Sequence, residues 1–143
     1  MNILRVLLPK SGVSFLEDSA TIRNGLEKMR YHGFSAVPVI NKEGVYVGTI
    51  TEGDFLWYLI DAGADWNLKQ QESVRIRDII RKDRGKPVTV NASMEELLHL
   101  AREQNFAPVT DDRGVFVGMV TRGDIMRWFE QELISVPNTG TAE

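Results

Sequence analysis

Residues 38–54 and 108–124 follow one pattern at a constant offset of 70. The first stretch reads Pro-Val-Ile-Asn-Lys-Glu-Gly-Val-Tyr-Val-Gly-Thr-Ile-Thr-Glu-Gly-Asp. The second reads Pro-Val-Thr-Asp-Asp-Arg-Gly-Val-Phe-Val-Gly-Met-Val-Thr-Arg-Gly-Asp. Nine identities recur without a gap, from Pro38 and Pro108 to Asp54 and Asp124, which chance does not supply in 143 residues. An internal repeat of this period makes the chain two copies of one supersecondary unit. Each copy is small and would expose a sheet face alone, so the two are expected to pack as one pseudo-symmetric domain.

The residue types within a copy set its elements. Val37, Pro38, Val39 and Ile40 form a short apolar run, followed by the turn Asn41-Lys42-Glu43-Gly44, where Gly44 can take a positive φ. Residues 45–50 are rich in valine, tyrosine and isoleucine, as strands are. Thr51-Glu52-Gly53-Asp54 then opens a helix through Phe55, Leu56, Leu59 and Ile60; Ile125, Met126 and Phe129 lie on its counterpart. A further helix precedes each strand pair. Ile22, Leu26 and Met29 form an apolar stripe behind Ser19 or Thr21 as cap, and Ser93-Met94-Glu95-Glu96 has the capping-box pattern ahead of Leu97, Leu98 and Ala101. Each unit is therefore expected to be β-α-β-β-α, in an α/β (α+β) domain. We expect repeat one over residues 1–66, repeat two over 67–134 with a connector at about 61–73, and a frayed polar tail over 135–143. Residues 74–80 are expected to form a short helix leading into the second unit.

Composition narrows the function. An apolar share of 43% can build a core, and a net charge of −3 lacks the basic field of a dedicated nucleic-acid binder. With no cysteine there is no disulfide, thiolate zinc site or cysteine nucleophile, which fits a reducing cytoplasm. Arg5 and Pro9 interrupt the first apolar run, so it is too short for a signal segment, and no stretch reaches the ~20 apolar residues of a membrane span.

The repeated strand Val37-Pro38-Val39 and Ala107-Pro108-Val109, the glycine turn, and Gly-x-x-Thr-x-x-Asp at Gly48, Thr51 and Asp54 and at Gly118, Thr121 and Asp124 together resemble the CBS-domain family. In that family two repeats pair into a Bateman module. The resemblance spans about residues 3–134, and residues 74–80 look like the family's usual lead-in. It implies a module that binds adenosine compounds (AMP, ADP, ATP, S-adenosylmethionine, NAD or cyclic di-AMP) in clefts between the repeats. It assigns the ribose hydroxyls to Asp54 and Asp124, and ribose or phosphate to Thr51 and Thr121. The base would lie against Ala36 and Val37 in one cleft and Phe106 and Ala107 in the other, with Thr89 as a further base contact. It also implies a homodimer. With no effector domain in the chain, regulation is expected to act on a separate partner protein.

Elementary chemistry agrees with those roles. A threonine at a helix start leaves backbone N–H groups free for an anion, and a carboxylate one turn in can accept both hydrogen bonds of a vicinal diol. The same residues also suit a plain capping arrangement, with Thr as N-cap and Asp at the third helical position. Three departures from the family pattern mark the sequence. Phe15 stands near the position where repeat one would carry the polar base contact, repeat two is about two residues shorter between its first helix and Pro108, and Glu52 stands where repeat two has Arg122. Arg122 suits phosphate, so the cleft of Thr121, Arg122 and Asp124 is the favoured one.

Other residues have plainer readings. Trp57, Tyr58 and Trp128 are expected in the core or a dimer contact, and Trp66 over a cleft or anchoring the linker. His32 and His99 have no metal or triad companions. Arg75, Arg77, Arg81, Lys82, Arg84 and Lys86 are expected to form a solvated basic surface, from which one residue could still reach a phosphate. The alternatives to a nucleotide sensor are a ligand-free interaction and dimerisation module with degenerate clefts and, below both, a nucleotide hydrolase, for which the sequence offers no nucleophile–base pair.

Overall fold

Two small sheets, each covered by its own helices, meet at their hairpin turns. The computed structural model describes residues 3–63 and 67–135; Trp66 and the tail beyond Ser135 lie outside the described residues. In repeat one, β2 (Leu16–Glu17) runs parallel to β3 (Ala36–Ile40), which pairs antiparallel with β4 (Tyr46–Thr51). Helix α1 (Ile22–His32) links β2 to β3, and α2 (Glu52–Ala62) follows β4. In repeat two, β5 (Val88–Thr89), α5 (Met94–Ala101), β6 (Phe106–Thr110), β7 (Phe116–Thr121) and α6 (Arg122–Ser135) repeat the same order and pairing. Between them lie α3 (Leu68–Ser73) and α4 (Ile76–Ile79).

Pro38 and Pro108 sit in the middle strand of their sheets, where proline is normally excluded. The parallel neighbour explains why they are tolerated. β2 pairs only with Val39 and Ile40, and β5 only with Val109 and Thr110, so each proline lies beyond the end of its parallel partner. The turns after β3 and β6 also share one construction. Asn41 Oδ1 accepts from the N–H groups of Glu43 and Val45, and Asp111 Oδ1 from those of Arg113 and Val115. Gly44 and Gly114 take φ of 81° and 82°, which no β-branched residue would hold at this turn. Both turns then bond across the pseudo-twofold axis: Tyr46 N donates to Gly114 O at 3.0 Å and Phe116 N to Gly44 O at 2.9 Å. Val13, Ile40 and Phe116, with Phe15, Tyr46 and Met119 packed against them, fill the space behind this junction.

The helices start as their caps dictate. Thr21 Oγ1 accepts from Asn24 N, and Ser93 with Glu96 forms a full capping box. Helix α1 ends at Gly33 in the left-handed region, while α5 is three residues shorter than α1 (11 against 8), matching the shorter spacing in repeat two.

The lead-in segments cross between units. Ile3 lies in the core of repeat two, and Leu8 and Pro9, which form β1, pair with Met119 and Gly118 on the edge of its sheet. Ile76 and Ile80 lie in the core of repeat one, and Ile76 N donates to Ala20 O. Each unit therefore contains the segment that precedes the other, and each cleft has walls from both repeats. Among the described residues no helix is long and apolar enough to cross a membrane.

Candidate ligand-binding clefts

The crossing lead-ins bring two similar hollows to the C-terminal ends of β4 and β7. Each has a volume of about 450 Å³, within the ~300–1,000 Å³ range of small-molecule pockets. The first joins Thr51, Asp54 and Trp57 of repeat one to Asp78, Arg81 and Arg84 of the segment leading into repeat two. The second joins Thr121, Asp124 and Trp128 of repeat two to Arg5, Leu7 and Leu8 of the segment leading into repeat one.

Within each cleft the motif threonine and aspartate do cap a helix. Thr51 N donates to Asp54 Oδ2 at 2.8 Å and Asp54 N to Thr51 Oγ1 at 3.3 Å. The counterparts at Thr121 and Asp124 are 3.1 and 3.0 Å. Capping uses Oδ2 of each carboxylate, and Oδ1 accepts from an arginine, Arg84 at Asp54 and Arg127 at Asp124. Burial on its own would push Asp124 up. The hydrogen bonds from the Thr121 side chain and backbone and the adjacent Arg127 guanidinium outweigh it and hold Asp124 below the usual carboxylate range.

The clefts differ in how that carboxylate is occupied. Arg84 Nη1 reaches both oxygens of Asp54, at 2.8 and 2.7 Å, and Thr51 Oγ1 at 3.0 Å. Asp124 is instead paired with Arg127, one turn along its own helix. The charge lining also differs. The first cleft gathers Asp54, Asp61 and Asp78 against Arg81 and Arg84; the second sets Asp124 against Arg5 and Arg127. The second is therefore net positive and suits an anion better.

The loop that carries Arg84 is fixed from both sides. The Tyr46 hydroxyl donates to Gly85 O at 2.5 Å, and since it has one proton, the 2.7 Å contact with Thr49 Oγ1 is donated by the threonine. Lys86 N donates to Gln104 Oε1 at 2.9 Å, and Gln104 Nε2 returns a bond to Lys86 O. Burial pushes the Tyr46 hydroxyl up to about 12, against the smaller lowering effect of Thr49. A group whose folded value is raised stabilises fully below its unfolded value of ~10 and loses that contribution as pH rises towards the folded one. Wild-type protein is therefore expected to lose about 2 kcal/mol more stability than Tyr46→Phe between about pH 10 and 12. Urea unfolding of both proteins across that range is the check; parallel curves would contradict the buried, proton-donating hydroxyl.

The site residues expected from sequence fall into three groups. Thr51 with Asp54, and Thr121 with Asp124, are brought together in the cleft walls, and cross-strand register sets Ala36 opposite Thr51 and Phe106 opposite Thr121. Val37 and Ala107 are buried in the two cores, so their side chains serve packing. Thr89 is exposed on β5, paired with Thr110, and does not line the Asp124 cleft. Arg122 departs from its expected place: its guanidinium donates to Ala101 O and Gln104 O at 2.8 and 3.0 Å, tying α6 to the end of α5. Glu52 lines an apolar groove between α1 and α2. The contrast expected between Glu52 and Arg122 is therefore not a contrast between the clefts. Arg5, Arg84 and Arg127 make that difference. Trp57 is 65% exposed and lines the first cleft rather than entering the core, as Trp128 lines the second. The ammonium groups of Lys10 and Lys28 each lie over the Phe15 ring, at 5.3 and 5.4 Å from its centroid. Among the described residues no group of three or more His, Asp or Glu is placed to hold a metal.

Comparison with known proteins places this architecture. A family model described as CBS domain matches residues 8–61 and 74–131. A protein of Methanopyrus kandleri is 32% identical over 104 residues, covering 70% of this chain and 49% of that protein, so the chain spans about half the length of that relative. The crystal structure of CbpB in complex with c-di-AMP is similar with a TM-score of 0.85 at 25% identity, over 94% of this chain and 87% of that one. CbpB from Streptococcus agalactiae matches with a TM-score of 0.81 at 26% identity, over 91% of this chain and 80% of that one.

Proposed function

The chain belongs to the CBS-domain family, and from that premise we propose that it is a regulatory module that binds an adenosine nucleotide between its repeats and signals to a partner protein. The observation that carries this reading is the Asp124 cleft. There a capped carboxylate held ionised stands beside two guanidinium groups, Arg5 and Arg127, in a hollow of nucleotide size. Vicinal hydroxyls suit the first and phosphate suits the second. The similarity to CbpB, whose complex holds c-di-AMP, supports the same ligand class. AMP, ADP, ATP, S-adenosylmethionine, NAD and cyclic di-AMP are the candidates, bound as signals and not as cofactors of a reaction. No catalytic step is assigned to the chain.

The signal is proposed to pass through a homodimer in the cytoplasm. Leu56 and Ile60 on α2 and Met126, Leu133 and Ile134 on α6 are each more than half exposed, which supports helix-face pairing of two copies. Ligand then acts by favouring one of two arrangements of that pair.

A thermal-shift screen with the six compounds tests the reading, because a ligand that binds only the folded state raises the melting temperature. A rise of about 5–10 °C at a hundredfold excess over Kd is expected for at least one of them. The interaction-module alternative, which the occupation of Asp54 by Arg84 favours for the first cleft, calls for no rise with any.

A further inference from the structure

We propose that Arg84 latches the Asp54 cleft shut, so that the two clefts are unequal and the Asp124 cleft fills first. The proposal rests on the nucleotide reading above and adds the order of filling and the residue that sets it.

A vicinal diol binds a carboxylate through its two oxygens. In the Asp54 cleft one nitrogen, Arg84 Nη1, already donates to both of them and to Thr51 Oγ1. The acceptors that would hold a ribose are therefore spent on the chain's own cation. The Asp54 side chain is only 3% exposed and that of Arg84 32%. Ligand can reach Asp54 only by driving the guanidinium out of a partly desolvated ion pair. Little in the backbone yields to let it go. Tyr46 and Gln104 hold the carbonyls of Gly85 and Lys86. Gly85 is buried with φ +74°, its α-carbon so close to Thr49 and the Tyr46 hydroxyl that no Cβ would fit.

The Asp124 cleft lacks this arrangement. Its arginine, Arg127, is 65% exposed, and Asp124 itself 22%. An exposed pair between neighbouring turns of one helix is weak and screened, so Arg127 can swing into solvent or onto a phosphate with no backbone movement. Arg5, on the opposite wall, has no carboxylate partner among the described residues. The same motif thus meets an exposed, freely displaced arginine in one repeat and a pinned, half-buried one in the other.

Isothermal titration of the full chain with AMP and, separately, with cyclic di-AMP tests this. For the compound that binds, wild-type protein is expected to take one equivalent per chain, lost in Asp124→Ala. Arg84→Ala is expected to take a second equivalent, bound at least tenfold tighter than any second site in wild type, and Arg84→Ala/Asp124→Ala to keep one. Tyr46→Phe, which unpins the loop and leaves both charges, is expected to strengthen the second site in the same direction and decides the matter should Arg84→Ala not fold. Two equal equivalents in wild type, a single equivalent that survives Asp124→Ala, or no second equivalent in the loosened variants would overturn the latch while leaving the nucleotide reading intact. Binding of neither compound to any of these proteins would overturn the nucleotide reading, and the latch with it.

Discussion

Asp124→Ala is expected to weaken nucleotide binding by about a hundredfold or more, since two hydrogen bonds to a charged acceptor contribute roughly 1.5–3 kcal/mol each. The loss is chemical more than structural. Asp124 caps α6 through the Thr121 N–H, and removal of such a cap costs about 1 kcal/mol, so the variant should stay folded at room temperature. Asp124→Asn separates the two effects: it keeps the volume and an oxygen for Thr121 N but removes the charge, so affinity falls while the helix start is largely kept. The stability difference from wild type also carries a sign in pH. The folded value of Asp124 is depressed, so its contribution is present above the unfolded value of ~3.9 and is lost as pH falls through the folded one. Titration calorimetry at pH 7 and urea unfolding down to about pH 3 read the two terms separately. Unchanged affinity in Asp124→Ala would remove this cleft from the account.

Gly118→Ala is expected to be the most destabilising single methyl in the chain's two motifs, by about 3 kcal/mol, the upper range for overpacking. A Cβ there would run into the Leu8 carbonyl oxygen and come within 3.1 Å of Pro9 Cα. Those are backbone atoms of β1, held in register against Met119 and Gly118, so they cannot turn aside as a side chain would. The strand must lift off the sheet edge, taking Leu7 and Leu8 from the wall of the Asp124 cleft. Gly48 holds the same place in repeat one, but its Cβ would meet the flexible end of Ile80 first, at 3.2 Å. Gly48→Ala should therefore cost about 1 kcal/mol or less. Comparison of the two melting curves is the measurement. Equal losses would mean that the lead-in crossing of repeat one does not bear on Gly118 as described.

Much of this architecture is legible in the residues, for identifiable reasons. The repeat at offset 70 fixes two copies of the strand–turn–strand–helix unit, and Asn41 and Asp111 with Gly44 and Gly114 mark turns whose chemistry is local. Thr51, Asp54, Thr121 and Asp124 are found in the cleft walls because in each repeat the motif and the helix start are the same residues. What the sequence does not show is whatever crosses between the copies. Nothing local tells that Ile3 packs in the core of repeat two or Ile76 in that of repeat one. The basic run at 75–86 reads as a solvated surface, yet Arg84 within it turns inward, because the Gly85 turn and the Tyr46 hydroxyl, 39 residues away in the chain, aim it at Asp54. Arg122, within the motif, looks like a phosphate ligand but donates to the carbonyls of Ala101, at the end of α5, and Gln104, just beyond it. A side chain's neighbours along the chain decide a cap or a turn. Its neighbours in space decide which arginine faces a ligand.

In the proposed complex a nucleotide sits between Asp124 and the lead-in of the other repeat. A crystal structure of the full chain grown with the compound that raises its melting temperature tests this most directly. Ribose hydroxyls within hydrogen-bond distance of Asp124 and a phosphate facing Arg5 and Arg127 are the predicted result. Nucleotide found elsewhere, such as the apolar groove between α1 and α2, with Asp124 still paired to Arg127, would contradict it.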